Sequence, residues 1–203
     1  MNCLTIFDYP NVPHTHRHGP IGYSDYDSYR DWLRDEFSFR CVFCLRREQW
    51  DRRVSTFHID HFVPQHAARD KALEYENLLY VCASCNSLKG DQEVPSPCVF
   101  NYGECLRVLD DGRIQALNLT GQIVVRLLAL DTPDATKYRK LILDTIKVLM
   151  GNDDRSTYRE WVRFPEDLPD LSRKKPPKGN TRPDGVANSW FAKKARGELP
   201  EAY

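Results

Sequence analysis

Cys41-Val42-Phe43-Cys44, His58-Ile59-Asp60-His61-Phe62-Val63-Pro64-Gln65, Glu76-Asn77-Leu78 and Cys82-Ala83-Ser84-Cys85-Asn86-Ser87-Leu88-Lys89-Gly90 follow one another within fifty residues and decide how the chain reads. Two Cys-x-x-Cys pairs bracket the stretch. Two residues between thiols let one tight turn aim both sulfurs at a single ion, so each pair is half of a tetrahedral four-cysteine zinc site. The pairs lie further apart than in a simple zinc ribbon, so a structure is inserted between the knuckles. Zinc held there would supply folding free energy on the order of 10 kcal/mol. Around the insert, Val54 to His61 reads as a strand and Leu78 to Val81 as a second. A short helix follows from about Ser84 and ends at Gly90, a residue suited to the position just past a helix.

The insert resembles the HNH, or ββα-metal, nuclease family. In that family an Asp-His on the first strand is followed by an Asn and then by a metal ligand on the helix. The resemblance covers about a quarter of the chain, with Asp60-His61, Asn77-Leu78, Asn86 and both cysteine pairs in the family's order. It implies an α+β fold, a ββα-metal core stapled by a four-thiolate zinc site formed by Cys41, Cys44, Cys82 and Cys85. An N-terminal helix and a C-terminal α/β extension flank that core. It also implies an endonuclease that hydrolyses phosphodiester bonds in DNA, leaving a 5′-phosphate and a 3′-hydroxyl. Compact proteins of this kind are similar to effectors of bacterial anti-phage or mobile-element systems, some of them paired with a partner ATPase.

Elementary chemistry points the same way. Phosphodiester hydrolysis needs an activated water and a cation that absorbs charge on the phosphate and the leaving oxygen. His61 is suited to accept the water's proton near neutral pH. Asp60 offers a hard anionic oxygen for Mg²⁺ or Mn²⁺. By resemblance, Asn77 orients the His61 ring or holds the loop, and Asn86 stands at the family's last metal-ligand position. The usual final His is thus replaced, and the pattern is H-N-N. An amide oxygen is harder than imidazole, so Mg²⁺ or Mn²⁺ is expected over Ni²⁺ or Zn²⁺ at this site. Lys89, one helical turn after Asn86, is expected to meet a phosphate oxygen. Arg46, Arg47, Arg52 and Arg53 are candidate backbone contacts, with solvated surface charge as the plainer reading.

On a regular strand Asp60 and His61 face opposite ways, while His58 shares a face with Asp60. If strand geometry holds to the end, His58 is a second ligand or a group supporting one. If the strand breaks near Pro64, Asp60 and His61 converge, which the family resemblance favours.

Outward from the insert, residues 1–38 form an N-terminal segment with a packing helix, 39–97 the nuclease core, 98–171 the extension and 172–203 a basic, Pro-rich linker and tail. The helix begins with Ser24 as N-cap and carries Tyr26, Tyr29, Leu33 and Phe37 on one face, with Trp32 flanking. His14, His16 and His18 read as a solvated loop in preference to a metal site. Asp110-Asp111-Gly112 marks a hairpin between Leu106–Leu109 and Arg113–Leu117. Periodicity leaves Gln122–Leu130 open between helix and strand. Pro133 opens a helix with Tyr138, Leu141, Ile142, Thr145 and Leu149 on one side, stopped by Gly151–Asp154. Tyr158, Trp161, Val162 and Phe164 are expected to pack back on the body. The tail reads either as a disordered or loosely docked terminus or as a basic arm that touches phosphate or a partner.

The chain has 29 basic and 29 acidic residues, which counts against a protein that coats nucleic acid by bulk charge but permits a local basic groove. No apolar run is long enough to span a membrane. The N-terminus lacks a basic start and an apolar stretch, so the cytoplasm is the expected compartment, where seven cysteines favour metal over disulfides. Cys3, Cys98 and Cys105 are left without a role. The competing class is a zinc-knuckle module that binds nucleic acid or protein without cutting, and such a module has no use for Asp60, His61, Asn77 and Asn86 together.

Overall fold

The structure is a computed structural model and describes residues 6–51, 56–151 and 155–203. Its elements follow in the order α1 (Arg30–Glu36), α2 (Glu48–Asp51), β1 (Phe57–His61), β2 (Leu78–Cys82), α3 (Ala83–Lys89), α4 (Tyr102–Cys105), β3 (Leu106–Val108), β4 (Ile114–Ala116), α5 (Leu119–Leu127), α6 (Pro133–Gly151), α7 (Arg155–Val162), α8 (Asp184–Ala187) and α9 (Trp190–Ala195). Helices and two separate two-stranded antiparallel sheets make it an α+β protein.

β1 and β2 pair with Phe57 opposite Cys82, Asp60 opposite Leu79 and His61 opposite Leu78, and α3 starts directly after β2. This is the ββα unit. Every residue of β2 is buried, because neighbouring elements cover both its faces, so it reads as a continuous apolar run. The first cysteine knuckle lies in a turn framed by a bridge between Arg40 and Arg47, closed by Cys41 N–H donating to the Arg46 carbonyl at 2.8 Å. Gly90 ends α3 with φ of 46°, a left-handed conformation that costs a glycine little. The hairpin β3–β4 turns at Gly112, φ 82°, where a Cβ would stand 2.5 Å from the Lys140 nitrogen of α6.

The run Gln122–Leu130 resolves as helix as far as Leu127, with Leu128–Leu130 in a turn. The Asn118 side chain caps α5 by accepting from Gly121 N–H at 2.9 Å, and Ala129 breaks the helix with φ of 47°. α6 runs as expected from Pro133, but its inward face is Arg139, Ile142 and Ile146. Leu141 is 62% exposed, a correction to the predicted stripe. Arg139 is drawn in because its guanidinium donates to the Gly112 and Leu130 carbonyls, both at 2.7 Å.

The N-terminal segment differs from its reading in three ways. Ser24 is not a helix cap. Asp25 accepts from the Ser28 N–H and hydroxyl, a short 3-10 turn spans Asp27–Tyr29, and α1 begins only at Arg30. Tyr26 therefore lies outside the buried stripe, while Trp32 lies within it. His14, His16 and His18 are not a solvated loop. His18 is fully buried with Nε2 2.8 Å from Asp35 Oδ1, and the His14 ring stacks on Phe37. The sequence offered no partner for these histidines because Asp35 and Glu36 end α1 and look like solvated helix charges.

Residues 172–203 also dock. Asn180 bridges Pro20, Lys178 N–H donates to the Ile21 carbonyl, and Trp190 donates from its main chain and its indole to Asp35. Trp190 and Tyr203 enclose Phe164 against Phe39. Val162 and Phe164 are buried as expected. Val54, Cys3 and residues 152–154 lie outside the described residues.

Candidate active site and metal centre

The Sγ atoms of Cys41, Cys44, Cys82 and Cys85 all lie within 4.8 Å of one another, with Cys44 and Cys82 3.6 Å apart. A tetrahedral zinc with bonds of about 2.3 Å places its sulfurs about 3.8 Å apart, so the cage is of the right size. The knuckle contributes two thiols, the end of β2 a third and the first turn of α3 the fourth. Hydrogen bonds from the other three thiols hold Cys82 well below the ordinary thiol range, while burial pushes Cys41 well above it. Such a cluster cannot ionise fully by itself. A divalent ion that prefers thiolate supplies the missing charge, and the donor set fits zinc. Among the described residues no other group of three or more His, Cys, Asp and Glu side chains comes together in this way. Neither the N-terminal histidines nor His58, Asp60 and His61 form such a group.

The remaining predicted site residues gather at the end of β1. Pairing continues through His61, and Phe62 N–H donates to the Asn77 carbonyl at 2.8 Å; the strand ends at His61 and bends at Phe62 and Val63, so the break near Pro64 falls after both Asp60 and His61. Asp60 and His61 accordingly reach different neighbours. Asp60 is buried against α3. His61 is half-buried and turns to the loop between β1 and β2. His58 is exposed.

The imidazole of His61 is held on several sides. Its Nε2 lies 3.0 Å from the Ala72 carbonyl. A carbonyl only accepts, so Nε2 is the donor here, and in the neutral ring the lone pair then lies on Nδ1. The Gln65 amide nitrogen is 3.2 Å from Nδ1 and 3.1 Å from Nε2. An atom nearly equidistant from the two nitrogens cannot lie in the ring plane without entering Cε1, so the amide sits over the ring face and the in-plane lone pair of Nδ1 stays open. The Tyr26 ring stands at 84° to the imidazole with centroids 5.0 Å apart. Gln65 carried no expected role and Tyr26 only a packing one, and nothing in their spacing marks a place beside His61.

Asn77 holds the loop. Its Oδ1 accepts from Val63 N–H at 2.8 Å, and its Nδ2 donates to the Val63 and Lys71 carbonyls, both at 3.1 Å. It does not touch the His61 ring. It fixes the residue beside Ala72, and Ala72 fixes the ring.

Lys89 is corrected. Expected at the surface for a phosphate, it is fully buried. Its Nζ stands 3.2 Å from Asp60 Oδ1 and 3.0 Å from Oδ2, and it donates to the His61 carbonyl at 3.0 Å. Burial pushes the Asp60 carboxyl up, against the pull of Lys89 and His61. The ammonium is a stand-in cation, showing that Asp60 presents its oxygens to positive charge. Asn86 is half-exposed one turn before Lys89 on α3, while adjacent Cys85 is buried at the cage.

Arg47 is likewise corrected. It is 1% exposed and lies over the Trp50 and Tyr203 rings, so it is no phosphate contact. Arg46 lies 4.1 Å over the Tyr138 ring. Arg52 and Arg53 fall outside the described residues. A cavity of about 500 Å³ beside the cage is lined by Cys44, Cys82, Cys85 and Leu88 but by none of Asp60, His61 and Asn86. Asp60 and His61 instead sit at the end of β1, and Asn77 just before β2.

Residues 41–92 match the model of the HNH endonuclease family. This segment is an HNH endonuclease domain. Its cluster of four cysteines fits the zinc-binding subtype, and its family is one of metal-dependent nucleases acting on nucleic acid. A comparison with curated proteins gave no match. No helix among the described residues is long and apolar enough to cross a membrane.

Proposed function

We propose that the HNH domain hydrolyses phosphodiester bonds in DNA, with His61 as general base, Asp60 and Asn86 as the holders of Mg²⁺ or Mn²⁺, and Asn77 as the residue that fixes the loop. The observation that carries this reading is the His61 Nε2 contact with the Ala72 carbonyl at 3.0 Å. With Nε2 donating to that carbonyl, Nδ1 is the ring nitrogen available to take a proton from water. Bound at Asp60 and Asn86, the ion would offset charge on the phosphate and the leaving oxygen. The phosphate then lies across the end of β1, between the α3 side and the loop side. The hard donors Asp60 and Asn86 support Mg²⁺ or Mn²⁺ over Zn²⁺, while the four thiols support a separate, structural zinc.

DNA as substrate and an effector role in a bacterial anti-phage or mobile-element system beside a partner ATPase rest on family resemblance alone, while the cytoplasm as compartment is supported by cysteine pairs spaced for a metal instead of disulfides. Incubating supercoiled plasmid with zinc-loaded protein and Mg²⁺ or Mn²⁺ tests the chemistry. Nicking is expected, reduced by roughly 10²–10⁴-fold in His61→Ala. Equal nicking by both proteins would refute His61 as the base. DNA binding without nicking in the wild type would favour the non-catalytic zinc-knuckle module.

A further inference from the structure

We propose that Lys89 is a resident counter-cation of the Asp60 carboxylate, which a divalent ion must displace in order to bind. The inference rests on the reading of Asp60 as a metal ligand. The Lys89 side chain has no exposed surface, and that of Asp60 is 9% exposed. Among the described residues this is the ion pair Asp60 makes, with Nζ 3.0 Å and 3.2 Å from its two oxygens. An ammonium has three donors. Asp60, the His61 carbonyl at 3.0 Å and the Gly90 carbonyl at 3.4 Å account for all three.

Two cations cannot share one carboxylate at this range without strong repulsion, least of all where water is excluded. Nor is a lone buried carboxylate tolerable, since an unpaired charge in the interior is costly. A divalent ion is therefore bound best when the ammonium has moved off the Asp60 oxygens. Lys89 keeps the domain folded before the ion arrives and weakens the ion's apparent affinity. Exchange demands little motion, because the ammonium can leave Asp60 while still bonded to the His61 and Gly90 carbonyls, at the C-terminal end of α3 where a positive charge is favourable. The arrangement predicts that removing the lysine charge tightens metal binding, the opposite of what a lysine with only a structural or phosphate-binding role would do.

The test measures Mn²⁺ binding to the zinc-loaded full chain without DNA, by titration calorimetry and by the Mn²⁺-dependent rise in Tm. Wild type, Lys89→Met, Lys89→Gln, Lys89→Arg and Asp60→Asn are compared, with zinc content as the check that each is folded. Lys89→Met is expected to bind Mn²⁺ about tenfold tighter or more. Its Tm should fall without Mn²⁺ and rise with it by more than the wild type's, since a ligand stabilises in proportion to its affinity for the folded state. Lys89→Arg retains the charge and should stay near wild type. Should Lys89→Met not fold, Lys89→Gln removes the charge while keeping a donor for the His61 carbonyl. Unchanged or weaker Mn²⁺ binding in folded, uncharged variants, with binding lost in Asp60→Asn, overturns the inference alone. Binding that survives unaltered in Asp60→Asn, or is absent throughout, overturns the metal-site reading as well.

Discussion

The Asn77 amide satisfies three main-chain groups of the loop between β1 and β2, two on Val63 and one on Lys71. An alanine there leaves these groups without their partner, at a cost of about 1–3 kcal/mol. Because the Lys71 carbonyl it holds adjoins the one that orients His61, Asn77→Ala is expected to lower kcat in the plasmid assay while KM changes little. A loss confined to Tm, with kcat intact at a temperature where the variant is folded, would show that the loop orients His61 without Asn77. Asn77→Asp keeps the acceptor for Val63 N–H but turns a carboxylate oxygen toward the Val63 and Lys71 carbonyls, so it should cost at least as much as the alanine. Residue chemistry of this kind was legible as far as type and order went. Asn77 was expected either to orient the ring or to hold the loop, and the contact it makes is with the loop. Lys89 was misread because a lysine one turn after Asn86 looks like a surface charge, and its partner Asp60 lies 29 residues earlier.

At the scale of elements, α3 is seven residues long, too short to persist by itself. Cys82 and Cys85 tie its start to the knuckle at Cys41 and Cys44, and Lys89 ties its end to β1. Zinc removal is therefore expected to release α3 and β2 together. Cys41→Ser, or chelation of the wild type, should abolish the bound zinc, about one per chain, and remove amide-exchange protection from Leu78–Lys89. Full protection in zinc-free protein would refute the cage as the element's anchor. This unit was readable because two thiol pairs, two short strand-like runs and Gly90 agree with one another. α5 was not, since a continuous apolar run fits either helix or strand, and the decision lies with its flanks, the Asn118 cap and the left-handed Ala129. The N-terminal histidines were unreadable for a different reason. Their partners are acids on the far end of α1, brought close only by packing.

At the scale of the molecule, one buried carboxylate joins the first segment to the nuclease core. Glu36 accepts from the Arg17 and His18 N–H groups at 2.8 and 3.0 Å and from the Tyr75 hydroxyl at 3.1 Å, with His14 Nε2 3.2 Å away. Burial alone would raise its pKa, but the donors from His14 and Arg17, with the charges of His14 and His18, bring it from 4.5 down to about 2. A depressed carboxylate pKa stabilises the fold above the unfolded value, and the contribution disappears as pH falls through the folded one. The stability difference between wild type and Glu36→Gln should thus be on the order of 3 kcal/mol at neutral pH and shrink between about pH 4.5 and 2. Urea unfolding of both proteins across that range measures it, and zinc release in acid, common to both, cancels in the difference. A gap that stays constant with pH would mean the depressed pKa is not what Glu36 contributes.

The neighbouring Asp35 receives Trp190 from 155 residues further along the chain. On a ribosome that separation is a delay. At about 5–20 residues per second, roughly 10–30 s pass between the emergence of α1 and that of the indole that completes its contacts. The nascent chain can assemble its cysteine cage and its ββα unit in that interval, while Phe164 still lacks the cover that Trp190 and Tyr203 later give it. A polypeptide halted before residue 190 would therefore carry a finished nuclease motif on an unfinished body, with aromatic surface open to chaperones.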